Sequence, residues 1–143
     1  MIRRALFTDR LHAVRMARDF HQASGAPFAF DAPAAEFVFA SSLEAPARLV
    51  LILDDGRPRG ILLAEAADHP FGCFRIATER IWWVDPEARG PEAIEMLDAY
   101  EAWAREQSCK LINMACLGTD PVLARLYRRR GFKPAETHFL KAL

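Results

Sequence analysis

The sequence predicts an α/β chain of the α+β kind, built on a mixed, mostly antiparallel sheet flanked by helices. Three observations carry that expectation. Apolar runs at 49–53 and 60–65 flank the turn signal Asp54-Asp55-Gly56-Arg57-Pro58, the pattern of an antiparallel hairpin. After the break His69-Pro70-Phe71-Gly72, residues 74–84 form a run rich in aromatic and β-branched side chains, which suits a long strand. An amphipathic helical segment then separates that strand from a further apolar run at 111–116, and a helical connection favours a parallel pair.

Taken in order, residues 2–6 read as a first strand. Thr8 reads as the N-cap of a helix in which Leu11, Val14, Ala17 and Phe20 recur at helical spacing, ended by Gly25-Ala26-Pro27. A short second helix is expected from near Pro33, with Phe37 on its buried face. The all-aliphatic run Leu49-Val50-Leu51-Ile52-Leu53 suits a strand covered on both faces. A third helix is expected from Pro91 to about Gln107, with Ala93, Leu97, Tyr100 and Ala104 on one stripe, broadened by Ile94, Met96 and Trp103. Pro91 fits a first helical turn, where its missing N–H is no loss. In the fourth helix Asp120 caps, Pro121 comes first and Gly131 supplies the left-handed end. A closing strand is expected over 135–140. No repeat, low-complexity tract or linker divides the chain, so 1–143 is expected to be one domain, long enough to bury a core.

Composition narrows the function classes. Lys plus Arg equals Asp plus Glu, at 19 each, which argues against a general nucleic-acid partner. The local exception is Arg125, Arg128, Arg129, Arg130 and Lys133, which cluster without an acid between them. Cys73, Cys109 and Cys116 are odd in number and lack Cys-x-x-Cys spacing, and the four histidines have no ligand spacing, so neither a disulfide framework nor a metal is expected. No apolar run is long enough for a membrane span, and the residues after Met1-Ile2-Arg3-Arg4 are not a signal-peptide core. A reduced, cytoplasmic protein without a membrane partner is the resulting expectation.

The chemistry is expected in the last third. There a strand ending Ile81-Trp82-Trp83-Val84 meets the turn Asp85-Pro86-Glu87-Ala88, then Arg89-Gly90-Pro91 opens a helix, and a second strand follows. The next helix carries Leu126-Tyr127, with Gly131-Phe132 four residues past the tyrosine. In order and spacing this resembles the GNAT superfamily of acyl-CoA-dependent N-acetyltransferases. The resemblance spans most of the chain, and its motifs lie within 79–132. It implies a single-domain fold with two splayed parallel central strands and acetyl-CoA (coenzyme A) as cosubstrate, without a metal.

The resemblance also assigns residues. In the family, Arg/Gln-x-x-Gly-x-Gly/Ala wraps the coenzyme A pyrophosphate at a helix N-terminus, where free amides and a partial positive charge attract anions. Here Arg89, Gly90, Glu92, Ala93 and Ile94 occupy that turn. Glu92 and Ile94 stand at the two small-residue positions, unless the turn is one residue shorter and Ala93 takes one of them. An acid in a first helical turn is also favourable with no ligand present. Trp83 and Val84 match the strand positions that pair with the pantetheine arm, and Asn113 faces them from the other strand. Tyr127 matches the tyrosine that serves the departing thiolate. It equally suits a core aromatic.

Glu79 is the first candidate for the base that takes a proton from the acceptor amine, and Glu65 the second. Either also reads as a surface acid. Cys116 reads as a small buried residue, not a nucleophile. The implied activity is transfer of an acetyl group from acetyl-CoA to a primary amine by direct attack, on a small-molecule or peptide acceptor. A non-catalytic GNAT-like module that binds acyl-CoA or a protein is the alternative. A homodimer is left open. Phe28, Phe30, Phe37, Phe39 and Phe71 suggest an apolar-walled acceptor site, or core.

Overall fold

The computed structural model describes residues 1–116 and 120–143. Five strands form one sheet in the order β1-β2-β3-β4-β5. They are β1 (Ile2–Arg4), β2 (Arg48–Asp54), β3 (Pro58–Asp68), β4 (Arg75–Val84) and β5 (Cys109–Asn113). The first three pairings are antiparallel and the β4–β5 pairing is parallel. The four helices are α1 (Arg10–Ser24), α2 (Ala32–Glu44), α3 (Pro91–Glu106) and α4 (Pro121–Arg129).

The sheet separates two apolar layers. Alternate residues of β2 and β3 point to opposite faces. Val50, Ile52, Ile61 and Leu63 pack with Ala13 and Met16 of α1 and Phe39 of α2. Leu49, Leu51, Leu53 and Leu62 pack with Met96, Leu97, Tyr100 and Trp103 of α3 and with Tyr127 of α4. Both faces of β2 are therefore covered, which its unbroken aliphatic run anticipates.

Three expectations are corrected. The first helix is not capped by Thr8. A single 3-10 turn covers Phe7–Asp9, and the Asp9 carboxylate receives the Leu6 amide at 2.8 Å. Phe37 is not on the buried face of α2: it is 73 % exposed, whereas Phe39 is 3 % exposed. The helix starts at Ala32, within a residue of the expected Pro33, with Asp31 as its cap, and it runs to Glu44. Finally, 135–140 form no strand. Phe139 is 94 % exposed. The apolar pair Phe139-Leu140 stands between His138 and Lys141, with no ladder partner to satisfy its backbone.

Asp9 has a second role. Arg3 donates to both its carboxylate oxygens, at 2.8 Å each, and also to Asp54 Oδ2. One guanidinium thus ties β1, β2 and the turn before α1 together. Hydrogen bonds from Arg3 hold the Asp9 carboxyl below its usual range, against the opposing effect of burial. Because the folded-state pKa lies below the unfolded one, this stabilisation is present above about pH 4 and lost as the pH falls through the folded value. Asp9→Asn should cost about 2 kcal/mol at pH 7, the scale of hydrogen bonds to a charged group, and should shrink the acid-induced loss. Denaturant titrations at neutral and acid pH check this. An unchanged acid limb in the variant would contradict it.

Candidate active site

The site begins with a break in the sheet. β4 and β5 pair only from Arg75 with Cys109 to Thr78 with Asn113. Beyond that point β4 continues to Val84 without β5 alongside. The β3–β4 register shifts at the same level: Leu63 faces Ile81 and Ala64 faces Glu79, so Arg80 has no residue opposite it. Such a bulge bends and re-aims the strand. Further along, the Asp85 amide donates to Arg59 O at 2.8 Å, which marks that pair as hydrogen-bonded. Antiparallel alternation then directs the Trp83 backbone to β3 and turns the N–H and C=O of Trp82 and Val84 to the open side, so Trp82, and not the expected Trp83, shares that open edge with Val84.

Two titratable side chains meet across this gap. Glu79 is 7 % exposed, and its Oε2 accepts the Ala115 amide at 3.0 Å. Tyr127, also 7 % exposed, donates its hydroxyl to the Ala115 carbonyl at 3.0 Å. A carboxylate on β4 and a phenol on α4 thus hold one residue just past the end of β5. Burial pushes the Glu79 pKa up, partly offset by the Ala115 amide and by Arg80. Burial also pushes the Tyr127 pKa up, and the charge of Glu79 adds to it. The phenol therefore keeps its proton near neutrality, while the carboxyl is a stronger proton acceptor than an exposed glutamate.

The turn after β4 is set by Asp85. Burial pushes its pKa up, but hydrogen bonds from Arg15 and Trp83 outweigh that and leave it lowered. Arg15 of α1 reaches both carboxylate oxygens, at 2.9 and 3.1 Å, and the Trp83 indole donates to Oδ1 at 3.2 Å. Nothing in the Asp-Pro dipeptide signals this; it reads only as a turn.

Arg89 then folds back. Its Nε donates to Val84 O at 3.0 Å, and its guanidinium lies 5.2 Å from the centre of the Trp83 ring. Gly90 leads α3 in extended conformation with open space where a Cβ would stand. Among the turn amides, Arg89 donates to Pro86 O at 3.4 Å and Ala93 to Gly90 O at 3.0 Å. Ile94 falls at the first ordinary helical bond, so Gly90 and Glu92 keep their N–H groups free of the helix ladder. The Glu92 side chain is exposed.

The acetyltransferase (GNAT) family model matches residues 13–132, most of the chain. The chain belongs to the GNAT acetyltransferase family. No curated protein matches it. Among solved structures it is similar to a transcriptional regulator from Bacillus halodurans C-125, at 18 % identity and TM-score 0.84, covering 100 % of this chain and 99 % of that one. It is also similar to a predicted acetyltransferase with acetyl-CoA from Clostridium acetobutylicum, at 18 % identity and TM-score 0.79, covering 99 % and 95 %. A third is AAC(6')-Iy in complex with a bisubstrate analog, at 18 % identity and TM-score 0.79, covering 100 % and 97 %. At these identities the likeness is one of fold.

Acetyl-CoA is the acetyl donor of GNAT enzymes, and the residues of this GNAT chain fit it. An unpaired strand edge, uncapped helix amides and an arginine line one side of the gap. The buried Trp82 Nε1 beside them has no hydrogen-bond partner among the described residues. Among those residues, no group of His, Cys, Asp and Glu is placed to hold a metal ion, and no helix is long and apolar enough to cross a membrane.

The remaining candidates are placed as follows. The Asn113 side-chain amide lies 3.4 Å from Thr78 Oγ1, at the last rung of the parallel pair. Glu65 is ion-paired with Arg80 and lies 4.0 Å from Arg48. Cys116 is only partly buried, not the buried residue expected, and its Sγ lies 3.5 Å from Asp120 O. In the basic cluster, Arg130 pairs with Asp98 of α3. Phe28 and Phe71 are exposed, and the rings of Phe28 and Phe30 lie against His21. Sequence reasoning missed Tyr100 as a polar group: its hydroxyl donates to Asn113 O at 3.2 Å and supports the strand end beside Glu79. The one available signal was a tyrosine where phenylalanine would suffice for packing.

Proposed function

We propose that the protein is an N-acetyltransferase that moves the acetyl group of acetyl-CoA to a primary amine of a small-molecule or peptide acceptor by direct attack, without a covalent enzyme intermediate. The observation that carries this reading is the joint hold of Glu79 and Tyr127 on Ala115, where β4 and β5 part. Acetyl-CoA supplies an activated acyl group with a thiolate leaving group.

The chain supplies the rest. The open edge of β4, the Trp82 N–H and C=O together with the Val84 N–H, acts as an added-strand partner for the pantetheine arm, while Arg89 Nε holds Val84 O. Arg89 and the amides of Gly90 and Glu92 face the pyrophosphate, with Ala93 and Ile94 fixing the turn behind them. Trp83 holds Arg89 in place from the other face, and Asn113 keeps the parallel pair closed below the gap. Glu79 takes the proton of the acceptor amine. A lysine-like amine has a pKa of about 10.4, so deprotonation at pH 7 costs roughly 4–5 kcal/mol, and a carboxylate with a raised pKa is a better match for that proton. Tyr127 donates a hydrogen bond or proton to the departing sulfur. Placing the amine against the thioester supplies the rest of the acceleration.

Coenzyme A should raise the melting temperature in a concentration-dependent way, because a ligand selective for the folded state stabilises it by mass action. Arg89→Ala should weaken coenzyme A binding several-fold, more at low salt than at high salt, since an exposed ionic contact is screened. Calorimetric titration gives both values. No heat and no thermal shift at about millimolar coenzyme A, roughly the top of the usual KM range, would remove the reading. Binding without turnover of any amine would favour the non-catalytic module.

A further inference from the structure

Where β4 and β5 part, side chains take over from backbone as partners of the outgoing chain. The Tyr100 hydroxyl of α3 donates to Asn113 O at 3.2 Å, and the Tyr127 hydroxyl of α4 to Ala115 O at 3.0 Å. Between those two carbonyls the Ala115 amide donates to Glu79 Oε2 at 3.0 Å. Glu79 and Tyr127 have roles in the proposed reaction. Tyr100 has none, yet it is the deepest of the three, at 0 % exposed against 7 % for each of the others. Its ring lies 6.3 Å from that of Trp103, on the same helix. A phenol is harder to bury than a phenyl ring unless its hydroxyl is bonded, and here the bond goes to the end of β5. Burial pushes the Tyr100 pKa up, and the charge of Glu79 pushes it the same way. The hydroxyl therefore stays protonated, and stays a donor, across the range in which a carboxyl titrates.

We propose that Tyr100 is a positioning residue for Glu79: by holding the Asn113 carbonyl it fixes the outgoing end of β5, and so keeps the Ala115 amide on the Glu79 carboxylate. Tyr100 touches neither cosubstrate nor amine in this scheme; it acts through the backbone from Asn113 to Ala115. An amide that donates to a carboxylate favours its charged form. Tyr100 thereby sets the pH at which the base becomes available. The groups that act on Glu79 are the Ala115 amide, Arg80 on its own strand, Tyr100 from α3 and Tyr127 from α4, with Ala64 opposite on β3. Cys109 acts on Tyr100 in turn, and Cys116 and Asp120 act on Tyr127. The consequence for rate rests on the acetyl-transfer reading; the hold on Glu79 does not.

Tyr100→Phe in the full chain keeps the ring beside Trp103 and deletes the hydroxyl. Without ligand, carbon NMR of the Glu79 carboxyl, assigned by its loss in Glu79→Gln, should show the titration midpoint at higher pH in the Tyr100→Phe variant. The Ala115 amide should exchange about tenfold faster, the scale of one hydrogen bond. With acetyl-CoA and a verified amine, the rising limb of the rate should move to higher pH as well. Turnover should then fall about tenfold at the acid end, on the same scale, with the alkaline plateau and the KM for acetyl-CoA nearly unchanged. A merely structural role would lower the melting temperature and leave the midpoint in place. An unmoved midpoint, or an equal loss of turnover at every pH, would overturn the proposal. If Tyr100→Phe does not fold, the unmodified protein decides. It has two tyrosines, and the Cζ resonance that persists in Tyr127→Phe should move at the Glu79 midpoint; a fixed resonance there would also overturn the proposal. Failure of the acetyl-transfer reading looks different: the midpoint moves in the ligand-free variant, yet the unmodified protein acetylates no amine.

Discussion

Tyr127→Phe should lower turnover by tens- to hundreds-fold while coenzyme A affinity stays nearly constant. The substitution keeps the ring that packs 5.7 Å from Phe132 and 6.2 Å from Trp82, and removes only the hydroxyl. That hydroxyl donates to the Ala115 carbonyl at 3.0 Å, so about 1 kcal/mol of stability should go with it. The larger effect is on chemistry. A buried phenol that holds its proton is a donor to charge that develops on sulfur, and such a contact forms mainly as the bond breaks. A thiol of pKa about 8.5 leaves fairly well unaided, so the loss is partial. Steady-state rates on a verified amine, paired with a melting curve, check this. Turnover equal to the unmodified protein would end the assigned role.

Glu79→Gln should have the other large effect, a fall in turnover of about 10²–10⁴ near neutral pH, the usual contribution of a positioned base. Glutamine can still accept the Ala115 amide through its carbonyl, so the gap should keep its shape. Stability should move the opposite way from activity. Burial raises the folded-state pKa of Glu79 above the unfolded value. The folded state therefore holds its proton longer, and stability declines as pH rises from about 4.3, the unfolded value, through the folded one. The uncharged variant escapes that decline, and at pH 7 it should be as stable as the parent or more so. The rate of the unmodified protein should rise with pH through the Glu79 titration, and the variant should lose that limb. A variant that melts normally and turns over at the parent rate would exclude Glu79 as the base. Since both side chains hold Ala115, the two substitutions together should cost less than the sum of their separate effects.

What the sequence revealed, and what it hid, follows from the range of the interactions. The ends of α4 were legible because their signals are local, whereas the local signal at Thr8 misplaced the start of α1. Asp120 accepts the amides of Val122 and Leu123 at 2.9 and 3.2 Å, and Gly131 takes a φ of 87°. The hairpin of β2 and β3 was legible from its turn residues. The bulge at Arg80 was not, because neither glycine nor proline marks it and it exists only against β3. The Glu79–Ala115 contact joins residues far apart in the chain, so the order of motifs suggested Glu79 but not its partner. Phe37 and Phe39 stand two residues apart, about 200° around a helix, so only one can face the sheet, and an apolar helix does not declare which. Residues 135–140 carry strand-like side chains, yet a strand also needs a neighbour to receive its hydrogen bonds.

The sheet's order has a consequence for assembly. Strands lie side by side in the order in which they leave the ribosome. β2, β3 and β4 form a meander closed by short connections, and such local pairings form early because little chain entropy opposes them. β5 and α4 come later; Ala115 follows the end of β5, and α4 carries Tyr127. On the proposed function, the reaction centre is a seam between an early-formed half and a late-arriving one. The stretch beside it can vary without dismantling the meander, so altering what the seam accepts need not jeopardise the fold that bears it.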